Sequence, residues 1–392
     1  MKYNFDEMID RHGTQSVKYD STKELWGRED VLPLWIADMD FKTPTFITDV
    51  IKERLSHEIL GYPQPHDGYF ESFIRWADRR YGLEVKKEEI HHVPGIVPGI
   101  YMMINHFSNP GDKVMVQPPV YHPFHNVIAA TGRQAVHNSL IIENGRYSID
   151  FDAMRRDIKG CKIFVLCNPH NPGGRRWSKE ELSLMADICA EEGTLVLSDE
   201  IHADMTYPPA RHLPFAAASE KARNNSITFM APSKTFNMPG VVTSQILIFN
   251  EELRNSAFPY LDNNHISGGN VFAFVTAEAA YNQGEEWLNQ MLTYVFANMD
   301  YVNDRLNAEM PKIKAMKPEA SFLMFFDCRE LGFATQKELD DFFVNEARLA
   351  LNSGDMFGPG GEGWMRFNAA SPRPIMEEAM NRLKEAYDKR GF

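Results

Sequence analysis

Cysteine is scarce in this sequence, and the few cysteines do not have the spacing of a metal or redox site. Four of the 392 residues are cysteine, namely Cys161, Cys167, Cys189 and Cys328. None of them is paired at the close spacing that zinc sites and redox motifs require. Three of them lie in apolar runs, where a buried thiol packs well. We therefore expect a reducing compartment and a cytoplasmic protein.

Long apolar runs and an excess of basic charge are also missing. The chain nowhere has about 18 uncharged apolar residues in succession, and its polar, acidic start does not resemble a secretory signal. With 54 acidic and 41 basic side chains, the formal net charge is −13. Such a charge disfavours nucleic acid and anionic membrane surfaces as main partners. We expect a small-molecule ligand, no nucleic acid and no membrane.

Short apolar runs that end in polar or turn residues recur in the middle of the chain. They are "KVMVQPP" from Lys113, "KIFVLCNPHNPGG" from Lys162, "TLVLSDEIH" from Thr194, "ITFMAPSK" from Ile227 and "SQILIF" from Ser244. Between the second and third runs, Ser178 and Glu181 have the spacing of a helix capping box, and Gly193 ends the helix. Apolar strands joined through helices predict right-handed parallel crossovers and a sheet covered on both faces.

The pattern changes after about Glu285, where long helical stretches alternate with "SFLMFFDC" and "GWMRFNAA". A helix is also predicted over "QKELDDFFVNEARLAL", and a final helix from Pro374. The fold class is therefore α/β, with a three-layer large domain built on a mostly parallel sheet and a smaller α+β domain. We expect an N-terminal segment at 1–50 that joins the small domain, the large domain at 51–284 and the small domain at 285–392.

Polar side chains gather where the apolar strands end. They are Asn171, Asp199, His202, Ser233 and Lys234. Ligands bind beyond the carboxyl ends of the strands in an open α/β sheet, so these residues should converge on one crevice. An ammonium at the end of an apolar strand is costly to desolvate, so the charge of Lys234 either escapes to water or serves chemistry.

The residue types at these positions suit one cofactor. A buried Asp199 needs a cationic partner such as a protonated ring nitrogen, and Asn171 offers an amide donor. The stretch "HHVPGIVPGI" offers backbone amides at a helix start, and Tyr121 offers an aromatic face for stacking. Together with Lys234, this set is what pyridoxal 5′-phosphate requires.

The order and spacing of these residues resemble a known family. Over essentially the whole chain, "NPHNPGG", "SDEIH", "APSKTF" and "RFNAASPR" resemble fold-type-I pyridoxal-phosphate enzymes of the class I/II aminotransferase superfamily. More particular stretches resemble its cystathionine β-lyase or cysteine-S-conjugate β-lyase (C-S lyase) branch: "LPLWIADMDFKTP", "GYP", "PGIVPGI", "PPVYHPF", "SDEIHADM" and "SKTFNMPG". The resemblance implies a C-S β-lyase that converts L-cystathionine or related cysteine S-conjugates to thiol, pyruvate and ammonia.

The resemblance also implies roles for individual residues. Lys234 would be the catalytic lysine that forms the imine with the cofactor, Asp199 would pair with the ring nitrogen, Asn171 would donate to the ring oxygen and Tyr121 would stack on the ring. Further cofactor contacts are implied for Tyr62, Gly95, Ile96, Val97, His202 and Ser233. Substrate contacts are implied for Ala37, Tyr121, Asn171 and Arg373, with Arg373 holding the substrate carboxylate. Tyr62 would reach the site of a neighbouring subunit, which implies a homodimer with shared active sites.

The sequence departs from the family at Ala231, where many relatives carry a phosphate-binding serine.

Three other functions are alternatives to the C-S β-lyase. They are an aminotransferase on the same scaffold, a regulatory protein that binds the cofactor without turnover and a lysine Schiff-base enzyme without cofactor. A serine enzyme is disfavoured because Ser233 adjoins Lys234 instead of preceding it by three residues. No metal is expected, because Pro123 lies between His122 and His125 and argues against a regular helix face.

Overall fold

The structure is a computed structural model and describes residues 3–392. The strands, in chain order, are β1 Leu32–Pro33, β2 Ile90–Val93, β3 Lys113–Val116, β4 Gln134–His137, β5 Ile141–Glu143, β6 Arg146–Ser148, β7 Cys161–Cys167, β8 Leu195–Asp199, β9 Ser226–Met230, β10 Ser244–Leu247, β11 Lys314–Met316, β12 Leu323–Asp327, β13 Leu349–Ala350, β14 Asn352–Ser353 and β15 Trp364–Asn368.

The α-helices alternate with these strands. They are α1 Val17–Asp20, α2 Thr22–Trp26, α3 Thr45–Ser56, α4 Asp67–Tyr81, α5 Ile96–Phe107, α6 Pro123–Ala130, α7 Phe151–Asp157, α8 Lys179–Glu192, α9 Phe215–Ala218, α10 Glu220–Asn224, α11 Pro232–Thr235, α12 Glu251–Asn263, α13 Ala273–Gln283, α14 Glu285–Glu309, α15 Gln336–Asp341 and α16 Arg373–Arg390. Within residues 3–392, none of these helices combines the length and the apolar character needed to cross a membrane.

A seven-stranded sheet with the order β2-β10-β9-β8-β7-β3-β4 forms the centre of the fold. Strand β10 runs antiparallel to its two neighbours, and the other pairs in the sheet are parallel. The predicted α/β fold with a mostly parallel sheet is confirmed. The parallel register sets Cys167 opposite Asp199 and Asp199 opposite Phe229, so the ends of β7, β8 and β9 lie side by side.

Helices cover both faces of this sheet, because alternate strand residues join different hydrophobic clusters. On β3, Val114 and Val116 pack into a cluster with buried residues of α5, α6 and α12. Met115, between them, packs into another cluster with residues of α7, α8, α9 and α10. Side chains along a strand alternate between faces, so this division shows three layers.

Helix α8 has the boundaries that the sequence predicts. The Ser178 hydroxyl accepts a hydrogen bond from the amide of Glu181 at 3.2 Å, and the Glu181 carboxylate accepts one from the amide of Ser178 at 2.6 Å. Gly193 follows the helix in the left-handed region, with φ 66°. The reciprocal bonds satisfy two amides that a helix start leaves without partners.

A second sheet with the order β11-β12-β15-β14 lies in the C-terminal part of the chain and is antiparallel. The short strand β1 pairs with β13, which attaches the N-terminal segment to the C-terminal part. The exact domain boundaries remain a prediction.

One helix is shorter than the sequence predicts. Helix α15 ends at Asp341, a π-helical turn follows at Phe342–Glu346, and the chain then enters β13. The amide of Leu32 donates to the carbonyl of Arg348 at 2.9 Å, so the end of the predicted helix is used for strand pairing instead.

Candidate active site

The carboxyl ends of the central strands open on one cavity. Its wall is formed by Ala37, Ile96, Val97, Tyr121, Cys167, Asn171, Asp199, Ile201, His202 and Lys234. Parallel strands end at the same edge of a sheet, and the loops and helix starts that follow them meet there. The fold therefore brings together residues that are up to 197 positions apart in the sequence, as the contact between Ala37 and Lys234 shows.

Lys234 lies in the one-turn helix α11, which begins at Pro232 just after β9 ends. Its Nζ donates a hydrogen bond to the carbonyl oxygen of Ala37 at 2.6 Å. Burial lowers the pKa of this amine to about 8, and the positive charge of Arg366 acts in the same direction. The amine loses its proton more readily than an exposed lysine does, which suits a nucleophile and a base.

Asp199 is the last residue of β8 and is buried. The amide of Ile201 donates to its Oδ1 at 3.0 Å. Burial, with a smaller contribution from the neighbouring Glu200, raises the pKa of this carboxyl to about 7. A carboxylate in this environment is stabilised by a cationic partner that enters the cavity.

Asn171 is held by its contact with a buried arginine. Its side-chain oxygen accepts a hydrogen bond from Arg366 Nη1 at 3.2 Å, and its backbone amide donates to Cys167 Sγ at 3.3 Å. The Arg366 Nη2 donates to the carbonyl of Trp35 at 2.9 Å and to Asn352 Oδ1 at 2.6 Å. Burial lowers the pKa of Arg366 to about 10, so the guanidinium remains charged at neutral pH.

The start of helix α5 offers backbone donors to the cavity. The helix begins at Ile96 after Gly95, and both Ile96 and Val97 lie in the cavity wall. The first amides of a helix have no intrahelical partner, and a helix start favours anions. Gly95 and Ser233 adjoin this wall without being part of it, and Ser233 is buried.

Tyr121 follows β3 and lines the cavity, half-buried. Burial raises the pKa of its hydroxyl, so the ring is neutral. His202 also lines the cavity and is buried, and its Nδ1 has no hydrogen-bond partner among residues 3–392. Burial lowers the pKa of His202 to about 3, and therefore this ring is also neutral.

The sequence analysis missed Cys167, Ile201 and Arg366. Cys167 is the last residue of β7, in direct register with Asp199, and Ile201 follows Asp199 by two positions. Arg366 could have been found by the argument applied to Lys234, because it is a charged residue inside the apolar stretch "GWMRFNAA". Burial raises the pKa of the Cys167 thiol well above its ordinary value, so the thiol stays protonated.

The structure does not bring Arg373 to the cavity, which corrects the role expected for it. Arg373 is the first residue of α16, and its guanidinium carbon lies 4.6 Å from the centre of the Tyr301 ring. Its amide donates to the Tyr294 hydroxyl at 2.5 Å. The strand β15 carries Arg366 toward the cavity, whereas the chain has turned at Pro372 before it reaches Arg373.

Tyr62 is the other expected contact that lies away from the cavity wall. It is fully exposed between α3 and α4. Among residues 3–392, no group of three or more histidine, cysteine, aspartate or glutamate side chains is placed to hold a metal ion. His125 instead contacts the ring of His137, with 5.3 Å between the ring centres.

The comparisons with known proteins identify the family of the chain. Residues 29–383 match the sequence model of the family described as aminotransferase class I and II. A Bacillus subtilis (strain 168) protein named cystathionine beta-lyase PatB is 41% identical over 385 residues, which cover 98% of this chain and 99% of that protein.

Two solved structures have the same fold over nearly their whole length. The crystal structure of cystalysin from Treponema denticola, which contains a pyridoxal 5′-phosphate cofactor, has a TM-score of 0.95 at 31% identity and covers 99% of this chain and 100% of that one. The crystal structure of the PLP-bound C-S lyase from Staphylococcus hominis has a TM-score of 0.91 at 33% identity, with 98% of each chain covered.

Proposed function

The chain belongs to the class I and II aminotransferase family, and from this membership we propose that it is a pyridoxal-phosphate-dependent C-S β-lyase. Its substrates are L-cystathionine or related cysteine S-conjugates, and its products are a thiol, pyruvate and ammonia. One observation carries the proposal: Asp199 at the end of β8 and Lys234 just after β9 line the same cavity. Arg366 donates a hydrogen bond to Asn171 in the wall of that cavity.

The residues of the cavity fit the cofactor. Burial raises the pKa of the Asp199 carboxyl to about 7, and a protonated pyridine nitrogen beside it would stabilise its ionised form. The amides of Ile96 and Val97 would hold the phosphate, and Tyr121 would cover the ring. When bound, pyridoxal phosphate supplies an electron sink for the carbanion that forms at the substrate α-carbon.

Within this frame, the side chains have separate tasks. Arg366 binds the substrate α-carboxylate through its paired N–H groups and fixes the orientation of the α-carbon. The neutral amine of Lys234 removes the α-proton, and Asp199 would pair as a carboxylate with the ring nitrogen of the bound cofactor. The β-carbon to sulfur bond then breaks with its electron pair leaving on the thiolate, while the pair from the α C–H bond forms a double bond between the α- and β-carbons. Water hydrolyses the released enamine to pyruvate and ammonia.

The decisive experiment separates the lyase from an aminotransferase. The purified protein is incubated with L-cystathionine, with and without an added keto acid, and pyruvate and free thiol are measured. We expect both products to be released without keto acid. Strict dependence on the keto acid would identify an aminotransferase, and cofactor binding without any turnover would identify a regulatory protein.

Arg366 and Arg373 form a matched pair for testing the carboxylate contact. Lysine keeps the charge but loses the paired donors, so Arg366→Lys should lower kcat/KM for every amino-acid substrate by on the order of tenfold or more. Arg373→Lys should change kcat/KM by less than about twofold, because its contacts lie with Tyr294 and Tyr301.

Steady-state kinetics on two substrates with different leaving groups measure this difference. A loss confined to one substrate would place Arg366 near the side-chain pocket. A larger loss in Arg373→Lys than in Arg366→Lys would return the carboxylate contact to Arg373.

The proposal includes a homodimer in which Tyr62 of one subunit reaches the phosphate of the other. Exposed apolar side chains precede it in the same stretch, namely Leu55, Ile59 and Leu60. Such a cluster is typical of a surface that a partner covers.

Subunit complementation tests the shared site. Tyr62→Ala and Lys234→Ala should each be nearly inactive. When the two variants are mixed in equal amounts after reversible dissociation, half of the dimers contain one subunit of each kind, and one of the two sites in each such dimer is intact. The mixture should therefore show about a quarter of the parent activity. Mixtures without activity, or a monomer in sedimentation experiments, would contradict the shared site.

A cytoplasmic location is also part of the proposal. It is supported by the four cysteines, which are unpaired and buried.

A further inference from the structure

The segment 35–41, here called the strap, passes along the cavity and presents its backbone oxygens to the functional side chains. Arg366 Nη2 donates to the carbonyl of Trp35 at 2.9 Å. Two residues further on, Lys234 Nζ donates to the carbonyl of Ala37 at 2.6 Å. The strap therefore contacts both the base and the carboxylate-binding arginine of the proposed lyase.

One asparagine holds the middle of the strap from the second sheet. Asn368, at the end of β15, donates from Nδ2 to the carbonyl of Ile36 at 2.8 Å and to the carbonyl of Asp38 at 2.7 Å. These two carbonyls flank that of Ala37 in the sequence. Asn368 uses both hydrogens of its amide for them.

Another asparagine holds the end of the strap from the turn that carries the reactive lysine. Asn237, three residues after Lys234, donates from Nδ2 to the carbonyl of Met39 at 2.9 Å and to the carbonyl of Phe41 at 2.7 Å. Its Oδ1 accepts from the amide of Met39 at 2.9 Å. Both hydrogens of this amide and one acceptor position of its oxygen are thus directed to the strap.

The backbone of Asn237 is adapted to this task. Its φ of 51° lies in the left-handed region, which asparagine tolerates better than most residues. In addition, Thr43 Oγ1 donates to the carbonyl of Asn237 at 2.7 Å. The turn after Lys234 and the strap are therefore tied at several points, and the Ala37 carbonyl is fixed between them.

We propose that Asn237 is a positioning residue, which fixes the Ala37 carbonyl against the amine of Lys234. The proposal rests on the function proposed above. One N–H of the amine donates to that oxygen, which orients the nitrogen lone pair. As the substrate α C–H bond breaks, the proton joins Nζ, its electron pair remains with the substrate, and the Ala37 oxygen stabilises the ammonium that forms.

Several charged or titratable groups face the amine besides the strap carbonyl. They are Asp38 from the strap, Asp199 from β8, Arg366 from β15 and His202 after β8. Asn237→Gly changes none of these groups and keeps the backbone conformation accessible. It removes the amide that holds the Met39 and Phe41 end of the strap, while Asn368 still bonds the carbonyls of Ile36 and Asp38. With that end released, the strap can move so that Ala37 and Asp38 lie farther from Lys234. Each withdrawal favours the neutral amine and lowers its pKa.

Two measurements on the full-length protein test this role. In the cofactor-free chain, acetylation of Lys234 by acetic anhydride, followed by mass spectrometry across pH, gives the titration midpoint of the amine. We expect Asn237→Gly to lower that midpoint by about half a unit to one unit. In the holoenzyme we expect kcat to fall by about tenfold while KM changes by less than about threefold.

Asn250→Gly is the matched control. The Asn250 side chain also makes three hydrogen bonds, to the amides of Glu252 and Leu253 and the carbonyl of Asn224, but these lie at the start of α12. It should lower Tm without changing the midpoint of Lys234 or kcat. A midpoint in Asn237→Gly equal to that of the parent, or an equal shift in Asn250→Gly, overturns the proposal.

A second variant covers the case in which Asn237→Gly does not fold. Thr43→Val keeps the shape of the side chain and removes the hydrogen bond between Asn237 and the chain two residues beyond the strap. We expect a smaller midpoint shift in the same direction, and no shift would overturn the proposal. If the parent releases no pyruvate from cystathionine, the proposed function fails, while the midpoint still decides whether Asn237 positions the amine.

Discussion

Lys234→Ala should yield a folded protein that lacks the visible-range absorbance of an imine and has lost at least about 10³-fold in turnover. In the proposed function, Lys234 provides both the amine that is joined to the cofactor and the base that removes the α-proton. Within residues 3–392, no other lysine lines the cavity. Loss of this side chain therefore removes both functions together.

Absorbance spectra, circular dichroism and pyruvate release measure the effect. Lys221→Ala is a suitable control, because this lysine pairs with Asp187 at 2.8 Å on the surface. The control should retain the imine absorbance and the turnover of the parent. If Lys234→Ala released pyruvate at the parent rate, the central assignment would be wrong.

Asp199→Asn should retain some cofactor but reduce kcat by on the order of 10²- to 10⁴-fold. The asparagine keeps the shape and can still accept from the amide of Ile201, which now donates to Asp199 at 3.0 Å. It cannot stabilise a protonated ring nitrogen, because it carries no charge. Asp187→Asn, which changes a surface carboxylate, should leave kcat unaltered.

The raised pKa of Asp199 gives a second readout in the cofactor-free protein. Its folded pKa is about 7 and its ordinary value is 3.8, so the folded state binds the proton more tightly than the unfolded state does. The stability that this carboxyl contributes is fully present below pH 3.8 and is lost as the pH rises to about 7. Between these values, Tm of the parent should fall relative to Tm of Asp199→Asn. If Tm depended on pH in the same way in the two proteins, and if kcat of Asp199→Asn equalled that of the parent, Asp199 would be a structural residue only.

The sequence predicted the central strands because each is a short apolar run that ends in turn residues. It also predicted helix α8, since Ser178, Glu181 and Gly193 have local roles at its ends. The predicted helix over "QKELDDFFVNEARLAL" extends too far because the pairing of Leu349 with Leu32 is a contact between distant parts of the chain. Such a contact leaves no local pattern.

By itself, the sequence determined the large α/β sheet and the residues that follow its strands, including Lys234, Asp199, Asn171 and Tyr121. Strand ends can be read locally, and in a parallel sheet they must meet at one edge. The tertiary structure alone placed Arg366 against Asn171 and Arg373 against Tyr301, and it placed the strap against the lysine. These two placements depend on how the second sheet and the N-terminal segment pack on the central sheet. Contacts between distant segments follow from the packed shape of the protein and leave no pattern in the local sequence.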